Sequence, residues 1–150
     1  MKIQIDVCKE CETEVLIKGD TSKNEVKELI EHINNFSLDI TPNKILLKDG
    51  EKSFIKDIED IWYFEARGNR LNAIIDQSFY VCKFKLYQIE NFKDKGYIRI
   101  SKSIIVNVNK IEFMEMEFSG NYTISLKNKK KLILSRNYVK KFKKYVEEVL

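Results

Sequence analysis

The residues best suited to chemistry are the two cysteines near the start of the chain. Cys8 and Cys11 have the spacing of half a zinc site or of a redox dithiol, because thiolates separated by two residues can share one metal ion or one disulfide. No second such pair follows, and Cys82 falls in a predicted strand, where a cysteine is typically a small core residue. Three cysteines in a lysine-rich chain fit a reducing compartment, so we expect free thiols, with a metal or redox role for Cys8 and Cys11 as the alternative.

Glu115 and Glu117 are a second candidate, a carboxylate pair of the kind that glycoside hydrolases use. Both lie on one side of a predicted strand, with Met114, Met116 and Phe118 on the other side. Strand alternation explains the pair more simply, because residues two apart share a face and these glutamates then face water.

Other catalytic classes lack the residues they need. His32 is the single histidine, so a multi-histidine metal site is excluded, and its place beside the apolar stripe of a predicted helix favours a structural role. The five glycines are never clustered, which excludes a P-loop or a dinucleotide-binding loop. The sequence therefore predicts a protein that is not an enzyme, with no cofactor, no metal and no small-molecule substrate.

The elements that position these residues belong to a small protein. A chain of 150 residues with 43% hydrophobic and 33% charged residues predicts one compact domain, or one domain with a short appendage. The first residues, Met1–Asp6, lack the apolar stretch of a signal peptide, and no run of about 18 apolar residues occurs. We therefore expect a cytoplasmic protein.

The front of the chain, residues 1–42, is predicted to be an acidic β-β-α segment. Alternating apolar residues indicate short strands at Ile3–Val7 and Val15–Ile17, and Ser22–Glu25 has the capping-box spacing that begins a helix. Thr41–Pro42 cannot continue a helix and marks the boundary. About forty residues are too few to be stable alone, so this segment packs on the rest or on a partner chain, with a role in dimerisation or regulation as the hypothesis.

Residues 43–150 are predicted to form a second, β-rich domain. Apolar alternation and turn glycines indicate ten short strands. These strands span residues 44–47, 53–55, 61–66, 71–75, 79–83, 97–100, 104–106, 110–118, 122–126 and 131–134. Helical periodicity indicates a short helix at Leu86–Glu90 and a C-terminal helix that includes Tyr138 and Phe142. The predicted fold class is mostly β, α+β overall.

Charge is unevenly distributed along the chain. Residues 1–42 carry 5 basic and 9 acidic side chains, whereas residues 99–150 carry 12 basic and 5 acidic side chains. The basic part attracts a polyanion such as nucleic acid. A solvated lysine-rich surface explains the same charge, so charge alone does not distinguish the two interpretations.

Three stretches carry a resemblance to a known family. Residues 58–70, IEDIWYFEARGNR, match a strand and loop of I-x-Y-x-E-A-x-x-N character, and residues 97–107, YIRISKSIIVN, match the pattern F-x-R-I-H-R-S-Y-I-V-N. Residues 131–138, KLILSRNY, match a closing strand and helix start. In this order and spacing, the stretches resemble the LytTR-type DNA-binding domain of bacterial transcription regulators, over residues 44–150.

The resemblance implies LytTR-like stacked small β-sheets with short helices, a fold that binds DNA through loops rather than through a recognition helix. Carried over residue by residue, the DNA-binding positions of the three loops are Asn69 and Arg70, then Ser101, Lys102 and Ser103, then Arg136 and Asn137. Ser101 and Lys102 stand where the family often has His and Arg, so this loop keeps a positive charge but loses a forked donor able to grip guanine. Arg99, in the strand before that loop, has two open roles, a structural ion pair or a DNA contact.

The side-chain chemistry of these positions predicts different roles. Arg136 can donate two parallel hydrogen bonds to guanine, whereas Lys102 suits a phosphate. Asn69 can pair with adenine, and asparagine is equally common in a tight turn without any ligand. The short donors that suit phosphates are Ser101, Ser103 and Asn137. Capping of the last helix is an alternative role for Ser135 or Asn137.

The resemblance predicts a sequence-specific regulator that binds double-stranded DNA as a homodimer, and a membrane-protein regulator is a further hypothesis. Control by a receiver domain is not expected, because residues 1–42 are too few to form one. One rival is a β-rich protein-interaction module with a basic face and only nonspecific DNA affinity. A second rival, a small nuclease or hydrolase, needs a carboxylate or metal cluster that the sequence does not provide.

Overall fold

The structure, a computed structural model, describes residues 42–149 and, ahead of them, residues 23–24 and 26–28. The chain divides into two units, Met1–Asp39 and Ile40–Leu150. In the first unit, Asn24 and residues 26–28 are helical, within the helix predicted there. The remaining predictions for this unit, which lie outside the described residues, concern the two front strands, the Ser22–Glu25 capping box, His32, Cys8 and Cys11.

Within residues 42–149, every predicted strand and helix is present. The strands are β1 (Lys44–Asp49), β2 (Lys52–Asp57), β3 (Tyr63–Arg67), β4 (Arg70–Ile75), β5 (Ser78–Cys82), β6 (Tyr97–Arg99), β7 (Ile104–Asn107), β8 (Ile111–Met116), β9 (Tyr122–Leu126) and β10 (Lys131–Leu134). The α-helices are α1 (Leu86–Ile89) and α2 (Arg136–Val149), and single 3-10 turns span Ile58–Asp60, Phe92–Lys95 and Val108–Lys110. The mostly β fold class is confirmed.

The strands form two antiparallel sheets. Seven strands make a large sheet in the order β2-β1-β5-β4-β3-β7-β6, and three make a small sheet in the order β10-β9-β8. Because successive side chains of a strand point to opposite faces, the large sheet has two faces to cover. Each face contributes to its own apolar cluster, and the small sheet covers part of one of them.

One cluster lies between the large sheet and the helical turns that connect its strands. Phe64 and Tyr97 are fully buried there, with Ile58 and Ile61 from the segment before β3. The Tyr97 hydroxyl lies within hydrogen-bond distance of both the Ile58 and the Ile61 carbonyl oxygens, the second at 2.8 Å. Burial raises the pKa of Tyr97 well above its ordinary value of 10.0.

The second cluster joins the other face of the large sheet to the small sheet and α2. Ile124 and Leu126 of β9 are fully buried in it, as are Val106 of β7 and nearly all of Phe142 and Tyr145. The apolar stripe of α2 thus packs against the sheets, as its helical period predicts. This packing places the start of α2 beside the ends of β6 and β10.

The prediction that Cys82 is a core residue is confirmed, because its side chain is buried and burial raises the pKa of its thiol. The alternation predicted around Glu115 is wrong in part. Glu115 is exposed as expected, but Met116 is 71% exposed and Phe118 is fully exposed. The physical reason is that Met116 is the last residue of the edge strand β8 and Phe118 lies beyond that strand, in the turn before β9. No described helix is long and apolar enough to cross a membrane.

Candidate nucleic-acid interface

The first predicted DNA-binding loop is the two-residue turn Gly68–Asn69 between β3 and β4. Arg67 and Arg70 face each other across this turn, and Gly68 has a φ of +56°, a conformation that favours a residue without Cβ. Asn69 and both arginines are exposed. The Nε of Arg67 donates a 2.9 Å hydrogen bond to Glu65 Oε2, so this arginine is held against β3.

The second loop, Ser101–Ser103, connects β6 to β7. The Oγ of Ser101 accepts hydrogen bonds from the backbone amides of Ser103, at 3.3 Å, and Ile104, at 3.1 Å. A serine side chain that accepts from amides two and three residues on stabilises a tight turn. Lys102 lies at the tip of this turn and is exposed.

The third loop is the junction between β10 and α2, at Ser135–Asn137. The backbone amide of Arg136 donates a 2.9 Å hydrogen bond to the side-chain Oδ1 of Asn121, in the turn between β8 and β9. The amide of Tyr138 donates to the carbonyl oxygen of Ser135 at 2.8 Å. The first backbone amide of α2 therefore has its hydrogen-bond acceptor in another loop. The side chains of Arg136 and Asn137, in the first turn of the helix, are exposed.

Two backbone hydrogen bonds tie the three loops together. The amide of Ala66, in β3 just before the first loop, donates to the carbonyl oxygen of Ser103 at 2.8 Å. The amide of Ser135 donates to the carbonyl oxygen of Ile100 at 2.9 Å. The second loop is therefore joined to the other two. These hydrogen bonds connect the segments that carry the seven predicted positions, which are Asn69, Arg70, Ser101, Lys102, Ser103, Arg136 and Asn137.

A group of lysines lies in the turn between β9 and β10. Asn128 of this turn donates to the carbonyl oxygen of Asp76, between β4 and β5, at 3.1 Å. Lys129 forms a 2.8 Å ion pair with Glu112, whereas Lys130 is exposed. Lys130 lines a pocket together with Arg67, Ser101 and Ser135, so it lies beside the three loops. Lys127 is exposed and donates to the carbonyl oxygen of Asn109 at 2.9 Å, at the end of β9 opposite Asn121.

Two positions next to the loops were not assigned to the interface from the sequence. Arg99 donates to backbone oxygens of the second loop, and Asn121 accepts from the third. Arg99 was visible in the sequence as a basic residue beside the second loop, but its acidic partner Glu90 lies on another element. Among the described residues, no group of three His, Cys, Asp or Glu side chains is placed to hold a metal ion.

The sequence matches the family model described as the LytTr DNA-binding domain over residues 51–147. The chain belongs to the LytTr DNA-binding domain family. The match confirms the resemblance found in the sequence. This family is a group of DNA-binding domains of transcription regulators and not an enzyme family. Double-stranded DNA is the partner that the family implies.

Relatives of this LytTr protein are found among bacterial regulators. An uncharacterized HTH-type transcriptional regulator of Staphylococcus aureus (strain MSSA476) is 29% identical over 144 residues, which cover 95% of this chain and 96% of that protein. The sensory transduction protein LytT of Bacillus subtilis (strain 168) is 29% identical over 103 residues, 68% of this chain and 43% of that protein. A solved LytTr DNA-binding domain from Bacillus cereus superposes with a TM-score of 0.66 at 23% identity, covering 70% of this chain and 97% of that one.

The fold of this LytTr domain does not contain a helix-turn-helix within residues 42–149. Helices α1 and α2 are separated by the strands β6 to β10, so they are not consecutive elements. A recognition helix of that motif follows its partner helix after a short turn. In the described residues, the exposed basic groups of the interface are instead presented by loops and by the first turn of α2.

Proposed function

We propose that this LytTr protein is a sequence-specific transcription regulator that reads duplex DNA through the three convergent loops. The observation that carries the proposal is the pair of backbone hydrogen bonds from Ala66 to Ser103 and from Ser135 to Ile100. Loops that are joined in this way keep a fixed spacing, so their side chains can meet bases and phosphates of one duplex in a constant register. Independent loops would lose that register and the specificity that depends on it.

Arg136 is the proposed base-reading residue. It is exposed, and its backbone is fixed by Asn121, so its guanidinium projects from a rigid position. An arginine so placed can donate two parallel hydrogen bonds to guanine O6 and N7, a contact worth about 1 to 3 kcal/mol of discrimination. The amides of the first turn of α2 add partial positive charge, which favours a phosphate beside the same site.

The other two loops are proposed to orient the duplex. Lys102 is exposed at the tip of its turn and suits a phosphate. The Oγ of Ser101 already accepts from two amides, so its hydroxyl hydrogen is the group that it can offer to a phosphate. Asn69 and Arg70 are exposed beside the first turn, where Asn69 can pair with adenine and Arg70 can contact a phosphate or a guanine.

The charges near the loops support an anionic ligand. Glu65 is paired with Arg67, and Glu90 is paired with Arg99. Glu117 accepts a hydrogen bond from the hydroxyl of Thr123. Three acidic groups near the interface are thus engaged with protein partners, which lowers the repulsion that DNA phosphates would meet there. Exposed basic side chains of α2 that extend the positive surface are Lys140, Lys141 and Lys144.

We extend the proposal to assembly and control. Two protomers would bind paired DNA sites, with residues 1–42 as the dimerisation or regulatory segment and residues 43–150 as the DNA-binding domain. A bacterial regulator of this kind acts on DNA in the cytoplasm, where a membrane protein would restrain it. Sedimentation of the full chain with and without a two-site duplex tests the dimer, and one protomer per two-site duplex at saturation would contradict it.

The test of the function is selection of binding sites from random duplex DNA, with wild type and Arg136→Ala at identical salt. We expect wild type to enrich a motif and Arg136→Ala to enrich a motif relaxed at the guanine that Arg136 contacts. Lys127→Ala is the matched control, because this exposed lysine follows β9 at the end of the strand opposite Asn121 and the third loop. If wild type enriches nothing in excess random competitor, the domain does not read sequence, and a protein-interaction module with nonspecific DNA affinity becomes the better account.

A further inference from the structure

The guanidinium of Arg99 is surrounded by partners on two sides. Arg99 ends β6, directly before the second loop, and its Nε donates to the carbonyl oxygen of Ser101 at 3.0 Å. Its Nη2 donates to the carbonyl oxygen of Lys102, and its Nη1 forms an ion pair with Glu90. The Arg99 side chain is 26% exposed and that of Glu90 is 30% exposed, so the pair is largely covered.

The geometry of a guanidinium explains why this position needs arginine. Its donors form a rigid planar fork, so one side chain can hold two successive carbonyl oxygens while a third nitrogen faces a carboxylate. Glu90 follows α1 and approaches from outside the loop, which orients the fork toward Ser101 and Lys102. A lysine at position 99 has a single ammonium group and cannot hold the same three acceptors in this planar arrangement.

The loop that Arg99 holds is the central one. Ile100, directly before this loop, accepts a backbone hydrogen bond from Ser135 of the third loop, and Ser103 accepts one from Ala66 of β3, just before the first loop. Any shift of the Ser101–Ser103 backbone therefore moves these two connections as well as the Lys102 side chain. By holding the second loop, Arg99 therefore helps to fix the positions of all three loops.

We propose that Arg99, oriented by Glu90, is a positioning residue of the DNA interface that acts through the second loop and does not itself contact DNA. The inference rests on the proposed function, because it concerns how the same surface reads a site. It also resolves the two roles that the sequence left open for Arg99, in favour of an ion pair. The acidic partner comes from the residue after α1.

A direct DNA contact by Arg99 predicts the opposite result for one variant. If Arg99 bound a phosphate, Glu90→Gln would release the arginine and remove a negative charge, so DNA binding would become tighter. If Arg99 holds the loop, Glu90→Gln leaves the fork poorly oriented, so binding to the preferred site becomes weaker. The sign of the Glu90→Gln effect therefore separates the two roles.

The experiment measures the affinity of the full chain for its selected site and for a random duplex of equal length, over a range of salt concentrations. For Arg99→Met, which keeps the length of the side chain, we expect about tenfold weaker binding to the selected site, as when one base contact fails to form. The slope of log affinity against log salt stays unchanged, because no phosphate contact is lost. Glu90→Gln follows in the same direction with a smaller loss.

A second readout is independent of DNA. Amide hydrogen exchange at Ser103, Ile104 and Ala66 is expected to accelerate in Arg99→Met and in Glu90→Gln, because these amides belong to the loop or to its connections. If Arg99→Met does not fold, Glu90→Gln carries both measurements. Unchanged exchange in a folded variant would overturn the proposal.

The remaining outcomes are distinguishable. Equal losses on both duplexes together with a salt slope reduced by about one would make Arg99 a phosphate contact and overturn the inference. Tighter binding by Glu90→Gln would do the same. If wild type itself prefers no site, the proposed function fails, while accelerated exchange in both variants would still establish that Arg99 and Glu90 hold the loop.

Discussion

The side-chain Oδ1 of Asn121 accepts a 2.9 Å hydrogen bond from the backbone amide of Arg136, across 15 residues of sequence. The first amides of a helix have no acceptor within the helix, so an acceptor from elsewhere stabilises the helix start. Here the acceptor comes from the turn between β8 and β9. The backbone of Arg136, the residue proposed to read bases, is therefore held by the turn between β8 and β9 as well as by its own helix.

Replacing Asn121 with alanine is expected to weaken the start of α2. The lost acceptor resembles a lost helix cap, which costs about 1 kcal/mol of unfolding free energy. Urea denaturation measures this loss, and site selection is expected to show a relaxed preference at the Arg136 position. Asn121→Asp is the matched control, because it keeps the acceptor oxygen but adds a negative charge. It is expected to retain stability and lose DNA affinity, and an equal loss of stability in both variants would contradict the role of the acceptor.

Two lysines test the placement of the DNA surface. Lys102 lies at the tip of the second loop, whereas Lys127 follows β9 at the end opposite the third loop, and both are exposed. We expect Lys102→Ala to weaken binding to all duplexes and to reduce the salt slope by about one, because one phosphate contact is lost. Lys127→Ala is expected to leave the slope unchanged. A reduced slope for Lys127→Ala alone would place the DNA at the other end of the small sheet.

The buried hydroxyl of Tyr97 predicts an alkaline limit to stability. Burial raises the pKa of Tyr97, so the folded protein keeps this proton at a pH where the unfolded chain releases it. Stability is therefore complete below the ordinary value of 10.0 and falls as the pH rises above it. The pKa values of Tyr63 and Tyr145 are raised by burial in the same direction. Urea denaturation between about pH 8 and pH 11 measures the decline.

The variant Tyr97→Phe measures how much the Tyr97 hydroxyl contributes to the unfolding free energy and to its decline at high pH. It removes the donor to the Ile58 and Ile61 carbonyl oxygens, so we expect a loss of about 1 to 3 kcal/mol in unfolding free energy at neutral pH. The same variant is expected to show a shallower decline above pH 10.0, because its position 97 no longer titrates. An equally steep alkaline decline in the variant would mean that Tyr97 does not set this limit.

Ser125 offers a stabilising substitution. It lies in β9, is 3% exposed, and its Oγ is the buried side-chain oxygen or nitrogen of the described residues that has no hydrogen-bond partner. A buried hydroxyl without a partner is destabilising, so Ser125→Ala is expected to raise the unfolding free energy by about 1 kcal/mol. Asn107→Ala is the contrasting control, because Asn107 is equally buried but hydrogen-bonded to the Asn109 amide. Loss of stability in Ser125→Ala would show that its hydroxyl does have a partner.

Strand positions were predictable from the sequence because alternation and turn chemistry depend on near neighbours. The strands Tyr122–Leu126 and Lys131–Leu134 have the predicted bounds, and the turn at Gly68–Asn69 lies where its residue types indicate. Prediction failed at Met116 and Phe118, which alternate like core residues but lie at the end of an edge strand and in the turn after it. Whether a strand is central or at an edge depends on the pairing of whole strands, which no local pattern contains.

The sequence by itself determined the family, the identity of the loop residues and the basic character of the C-terminal half, since these are properties of residue types and their spacing. Only the tertiary structure decided that Ala66 meets Ser103, that Ser135 meets Ile100 and that Arg99 meets Glu90. These partners lie far apart in the chain or on different elements. Their contact depends on how the two sheets pack and on the register of their strands, both of which arise only when the whole domain buries its apolar clusters.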